Sequence, residues 1–151
     1  PFNAFMFIQG LETLHLRMKE HSANGQKVAE HLSKHPMVER VAYPGVSSGL
    51  PKERADKYLS NGCGGLLGFD IKGGHEAGKK FINSLEMLYH VANIGDSRSL
   101  AIHPASTTHS QLNEEELASG GISPNYIRLS IGLEHIDDIL ADIDQALAKA
   151  E

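Results

Sequence analysis

The stretch that most constrains the fold is Tyr126-Ile127-Arg128-Leu129-Ser130-Ile131-Gly132. Ile127, Leu129 and Ile131 alternate strictly with other residues, so one face of an extended strand is committed to a core. The opposite face carries Arg128, Ser130 and Gly132. An arginine there sits on a rigid element. Its planar fork binds a carboxylate bidentately and stays charged at any working pH. The strand alone leaves two outcomes open: a guanidinium aimed at a ligand, or an edge-strand arginine meeting water or a neighbouring glutamate.

A chain of 151 residues is long enough for one ordinary domain, burying roughly 70% of its extended surface. With 40% hydrophobic and 22% charged residues it has the composition of a globular protein. The net charge of −5 and the scattered basic residues argue against a phosphate-backbone binder. No apolar stretch approaches the roughly 20 residues of a membrane span. The lone Cys63 excludes an internal disulfide framework and fits a reducing compartment. The first residues have no basic-then-apolar signal pattern. They open at Pro1-Phe2 in mid-pattern without an initiator methionine, which points to the back portion of a longer protein.

From Phe2 to about Lys34 the pattern is helical, with Phe5, Ile8, Leu11, Leu14 and Met18 at spacings of three and four. Gly10 and Asn24-Gly25 are candidate kinks. Strands are expected at Val38–Tyr43, Gly64–Ile71, Met87–Val91, Ser99–Ile102 and 126–131. Helices are expected at Lys52–Leu59, His75–Ser84, Glu114–Ala118 and Glu134–Lys149, with Asn113 as an N-cap and Gly120-Gly121 closing its helix. Strands separated by helices give an α+β layer, one small sheet with helices covering one face.

Several groups invite chemistry. Gly62-Cys63-Gly64-Gly65-Leu66-Leu67-Gly68 has the look of a phosphate loop, but such loops follow a strand and open a helix, whereas these glycines lead into a strand. Cys63 among glycines and aliphatics is read as a small hydrophobe rather than a nucleophile. His90, His103 and His109 lack the clustered ligands of a zinc site, and no metal is expected. The segment from Asn93 to Ser110 is dense in small polar residues and irregular, the composition of a loop that lines a site.

Ser99-Leu-Ala-Ile-His103-Pro-Ala-Ser-Thr-Thr-His109 and Gly121-Ile-Ser-Pro-Asn-Tyr-Ile-Arg128-Leu-Ser-Ile-Gly-Leu-Glu134 resemble the Cys/Met-metabolism family of pyridoxal-phosphate enzymes. Pro1-Phe-Asn-Ala-Phe, Gln9-Gly-Leu-Glu-Thr-Leu-His-Leu-Arg17-Met and Asn93-Ile-Gly-Asp96 point to its O-acetylhomoserine sulfhydrylase branch. The resemblance implies the C-terminal part of a fold-type I enzyme: a long interdomain helix region (1–34), then a small, mainly antiparallel substrate-binding domain (35–151). It implies that Arg128 holds the substrate α-carboxylate, with Asn93 and Ile94 beside it. Pyridoxal phosphate and its Schiff-base lysine belong to a large domain upstream, leaving no catalytic or cofactor-binding residue here. The implied activity is γ-replacement, O-acetylhomoserine and sulfide giving homocysteine in methionine biosynthesis, by a cytoplasmic homotetramer. The isolated chain is expected to be inactive. Sister activities of the cystathionine γ-synthase or γ-lyase type, and a free-standing amino-acid-binding module, are the alternatives.

Overall fold

A computed structural model describes residues 1–151, the side chain of Glu114 aside. The elements run α1 (Phe2–Glu12), α2 (Leu14–Leu32), β1 (Val38–Ala42), α3 (Leu50–Tyr58), β2 (Leu66–Ile71), α4 (Gly74–Ser84), β3 (Tyr89–His90), β4 (Leu100–Ile102), α5 (Glu114–Ser119), β5 (Tyr126–Ser130) and α6 (Ile136–Lys149). The strands form one sheet in the order β1-β2-β5-β4-β3. Every pairing is antiparallel except β3 with β4. The fold is therefore α+β with a mainly antiparallel sheet.

The alternating apolar residues build the core. Leu67, Phe69 and Ile71 of β2 join Ile127, Leu129 and the following Ile131 on one face of the sheet. Val28 and Leu32 of α2, Phe81 of α4, and Ile139, Ile143 and Leu147 of α6 share their buried cluster. Phe69 and Phe81 meet edge to face, with ring centroids 5.5 Å apart. No helix among the described residues is long and apolar enough to cross a membrane.

The first helical pattern is broken at Thr13 (φ −107°, ψ 4°), not at Gly10 or Asn24-Gly25. Arg17 holds the break: its Nη1 donates to the Gly10 carbonyl at 2.9 Å and to Thr13 Oγ1 at 2.6 Å. Gly10 stays inside α1, and Asn24 and Gly25 stay inside α2. The two sides of the break differ in burial. Phe2, Phe5, Phe7, Ile8 and Leu11 are each more than half exposed, and α1 buries nothing. The second half of α2, from His21 onward, lies against the sheet.

The third strand is shorter than the sequence pattern, only Tyr89–His90. The reason is Asp142, a polar residue buried on the inward side of α6. Its carboxylate accepts the backbone N–H groups of Glu86, Met87 and Leu88 at 2.8–2.9 Å. Those donors are thus satisfied without a strand partner. Burial by itself would raise the Asp142 carboxyl, but the N–H groups of Leu88, Glu86 and Met87 outweigh it and hold it below its ordinary range.

A carboxyl depressed in the folded state stabilises the fold above its unfolded pKa, and that contribution is lost as pH falls through the folded value. Asp142→Ala, which leaves three backbone donors, that of Leu88 buried, without their acceptor, is expected to cost about 3 kcal/mol in urea denaturation. On acidification below about pH 4, the ordinary carboxylate range, the parent chain should lose stability more steeply than Asp142→Asn. Equal acid limbs for the two would refute this role for the charge.

Candidate functional site

The strand register sorts the sheet face away from the helices into three rows: Arg40–Asp70–Tyr126, then Ala42–Gly68–Arg128–Ile102, then Leu66–Ser130–Leu100. Arg128 stands in the middle row. Its strand is flanked by β2 and β4, so the edge-strand alternative fails. The Arg128 Nη2 donates to the carbonyl of Ala92 at 2.7 Å and reaches that of Asn93 at 3.5 Å. Its Nε and Nη1 have no partner among the described residues. A half-buried guanidinium anchored by one nitrogen, with donors to spare, is suited to a carboxylate.

The loop that meets Arg128 is fastened to the end of β5. Gly95 N–H donates to Ser130 Oγ at 3.0 Å, and Leu133 N–H donates to the Ser97 carbonyl at 2.8 Å. Ser99 Oγ accepts from Gly132 N–H at 2.8 Å and donates to the Glu134 carboxylate at 2.9 Å. Glu134 also accepts Ser99 N–H at 2.6 Å. This close seat requires a residue without a side chain at 132, because a Cβ there would stand 2.5 Å from the Ser97 carbonyl oxygen. Asp96 accepts Arg98 N–H at 2.9 Å; that bond first, and the Arg98 side chain second, holds its carboxyl below the usual range. Arg98 in turn lies 4.5 Å over the Tyr89 ring. Asn93 and Ile94 are left exposed at the tip beside Arg128.

On the α2 side a cleft of about 230 Å³ runs past His21, Cys63, Ile94 and Ser130. His21 closes its floor by donating from Nδ1 to the Ile131 carbonyl at 2.6 Å. Cys63 is partly buried and packs on the core.

The segment 93–110 divides among three surroundings. Residues 93–98 meet Arg128, 100–102 form β4, and His103 turns to the helix face, where it is fully buried. Its Nε2 donates to the Pro124 carbonyl at 2.7 Å and its Nδ1 accepts from Ser106 Oγ at 2.8 Å. Burial, chiefly, lowers its pKa. His103 is therefore a neutral structural residue. Glu134, Asp70 and Tyr126 also shape this face, and sequence reasoning missed them; the polar side of the β5 alternation was the available signal for Tyr126.

The residues present do not fit pyridoxal phosphate. Lys79 and Lys80 lie on α4, on the opposite side of the sheet from Arg128. Lys79 pairs with Glu76 at 3.2 Å and Lys80 reaches the Glu151 carbonyl at 3.4 Å. Residues 62–65 lead into β2 and open no helix that could receive a phosphate. Among the described residues no three His, Cys, Asp or Glu side chains gather to hold a metal.

A sequence profile of Cys/Met metabolism PLP-dependent enzymes matches residues 1–148. The chain belongs to this family. Among its relatives, the O-acetyl-L-homoserine sulfhydrylase of Leptospira meyeri is 56% identical over 97% of this chain, and 34% of the relative is covered. The homocysteine synthase of Schizosaccharomyces pombe is 48% identical over 99% of the chain and 35% of the relative. The L-methionine gamma-lyase of Treponema denticola is 47% identical over 99% and 37%. The crystal structure of a putative O-acetylhomoserine (thiol)-lyase from Campylobacter jejuni superposes with a TM-score of 0.90 at 47% identity, over 98% of this chain and 35% of that one. It carries a pyridoxyl-lysine monophosphate adduct, on a lysine outside the part this chain covers. The chain thus spans about a third of the length of the family members it matches.

Replacing Gly132 by alanine forces the Ser97–Arg98 backbone away from the end of β5. An overpacked site of this kind costs about 1–3 kcal/mol. Gly132→Ala is expected to lower the urea midpoint and to speed amide exchange at Gly95 and Leu133, whose bonds fasten the loop. Unchanged exchange at both amides would show that the seat tolerates a Cβ.

Proposed function

We propose that the chain supplies the substrate-carboxylate side of a pyridoxal-phosphate-dependent γ-replacement enzyme, one that makes homocysteine from O-acetyl-L-homoserine and sulfide in methionine biosynthesis. The observation that carries this is the Arg128 guanidinium, anchored to the 92–93 carbonyls with its remaining donors open. The likeness to the Leptospira sulfhydrylase supports the choice of reaction. In this reading residues 1–34 form an interdomain helix region and 35–151 a small substrate-binding domain. A large cofactor domain belongs to the rest of a longer polypeptide, and the whole works as a cytoplasmic homotetramer.

Arg128 takes the α-carboxylate with its free N–H groups, and Asn93 and Ile94 flank it. A carboxylate pinned on a rigid strand fixes the direction of the substrate's Cα–H bond. Orientation of that kind can supply several kcal/mol of a barrier. Pyridoxal phosphate, when bound, supplies the electron sink. The loop seated on Ser130, Gly132 and Glu134 keeps the Asn93–Ile94 tip in place against the fork. A γ-lyase is the second reading, favoured by the methionine gamma-lyase at 47% identity. Assay of the full-length enzyme separates them: sulfide-dependent homocysteine from O-acetylhomoserine supports replacement, and sulfide-independent release of 2-oxobutyrate from methionine supports the lyase.

Arg128→Lys in that enzyme keeps the charge and loses the fork. The loss of one charge-assisted bond should reduce kcat/KM by roughly one to two decades. Arg128→Ala should lose more, while both variants keep the cofactor's absorbance. Near-normal kcat/KM in Arg128→Ala would remove the carboxylate assignment.

The isolated chain should form no specific adduct with the cofactor. After incubation with pyridoxal phosphate and borohydride reduction, peptide mapping should find only scattered low-level lysine labelling. One stoichiometric, site-specific adduct would overturn the assignment of the cofactor lysine to another part of the protein.

A further inference from the structure

The sheet face that presents Arg128 also holds a carboxylate. Asp70 is nearly fully buried and sits one row from Arg128: Asp70 pairs with Tyr126, and Gly68 with Arg128. Diagonal neighbours across antiparallel strands are about 7–8 Å apart at the backbone, within reach of a long side chain. A buried carboxylate so near a guanidinium would ordinarily capture it. It does not, and two features account for this.

First, each oxygen of Asp70 already has a partner. Its Oδ2 accepts from Arg40 Nε at 2.7 Å and its Oδ1 from Ser123 Oγ at 2.6 Å. Second, the direct route between the two groups is crowded. The ring of Tyr126 leans out of its own row onto Gly68, so far that a Cβ at Gly68 would overlap the phenol. The wedge is uncharged, since burial, first of all, raises the Tyr126 hydroxyl pKa above its ordinary value. With Gly68 occupied by the ring, the Arg128 side chain is turned the other way, to the carbonyls of Ala92 and Asn93.

We infer that Arg40 and Tyr126 are positioning residues for Arg128: Arg40 occupies the internal carboxylate of Asp70, and Tyr126, socketed on Gly68, narrows the path to it, so that the Arg128 fork stays open to a ligand carboxylate. The inference deepens the carboxylate reading of Arg128 and rests on it for its purpose. The internal competition between Arg40 and Arg128 for Asp70 can be measured separately.

The test uses the whole chain, labelled with ¹⁵N, and follows the Nε–H signals of Arg40 and Arg128 while sodium acetate is added at constant ionic strength. In the parent chain acetate should shift Arg128 and leave Arg40 in place. In Arg40→Gln the Arg128 signal should move before any acetate is added, as Asp70 recruits it. Its apparent acetate affinity should then fall about tenfold, the order expected when one charge-assisted bond is taken by an internal competitor. Arg40→Gln/Asp70→Asn should restore the parent position and response, which a merely misfolded variant would not do. Tyr126→Ala should shift Arg128 in the same direction as Arg40→Gln. An Arg128 signal that ignores Arg40→Gln, or that Asp70→Asn does not restore, overturns the inference. If Arg128 is blind to acetate in the parent chain yet moves in Arg40→Gln and returns in the double variant, the carboxylate reading falls and the competition stands.

Discussion

The antiparallel pairing of β2 with β5, from Leu66 opposite Ser130 to Asp70 opposite Tyr126, underlies everything else in the molecule. It places Leu67, Phe69, Ile127 and Leu129 side by side as the floor on which α2, α4 and α6 pack. Because side chains alternate across a strand, the same register sends Gly68, Asp70, Tyr126 and Arg128 to the other face. A slip of one residue would exchange the two sets, burying a guanidinium and exposing the core. Core and candidate site are two consequences of one set of backbone hydrogen bonds.

The end of β5 is held from a second direction. His21 donates to the Ile131 carbonyl, and Asn24 to the carbonyls of Gly132 and Glu134. Both lie on the buried half of α2 and satisfy carbonyls that continue past the last ladder pair. Ser99 and Glu134 bring the 93–98 loop to the same place from the side. The tip at Asn93–Ile94 is therefore an exposed point on a well-tied frame, a suitable placement for groups that meet a small ligand.

The sheet could be read from the sequence because its signal is local. Alternation in β2 and β5 and the Asn113 N-cap are written within a few residues. Arg128 stands out for the same reason, and the structure sets it on an interior strand. What escaped depends on where individual side chains reach in the folded chain. The break at Thr13 is set by the reach of Arg17, and β3 is short because Asp142 takes its preceding donors from more than 50 residues away. Within the polar 93–110 segment the strand at Ser99–Ile102 is legible, but the turn of His103 to the helix face is set by tertiary packing. The link between Arg40, Asp70 and Tyr126 joins three strands, and no local pattern announces it.

The division of the first helical pattern at Thr13 has a consequence for order. Phe5 and Phe7 are two positions apart, so at about 100° per residue they point to nearly opposite sides of α1. A flat surface could cover one and leave the other wet; only an enclosing environment covers both. An 11-residue helix is also too short to persist in water on its own propensity. Beyond the Thr13 break, α1 cannot borrow the anchoring that His21 and Asn24 give to α2. The apolar faces of α1 find no cover among the described residues, whereas the elements from α2 onward pack around a core of their own.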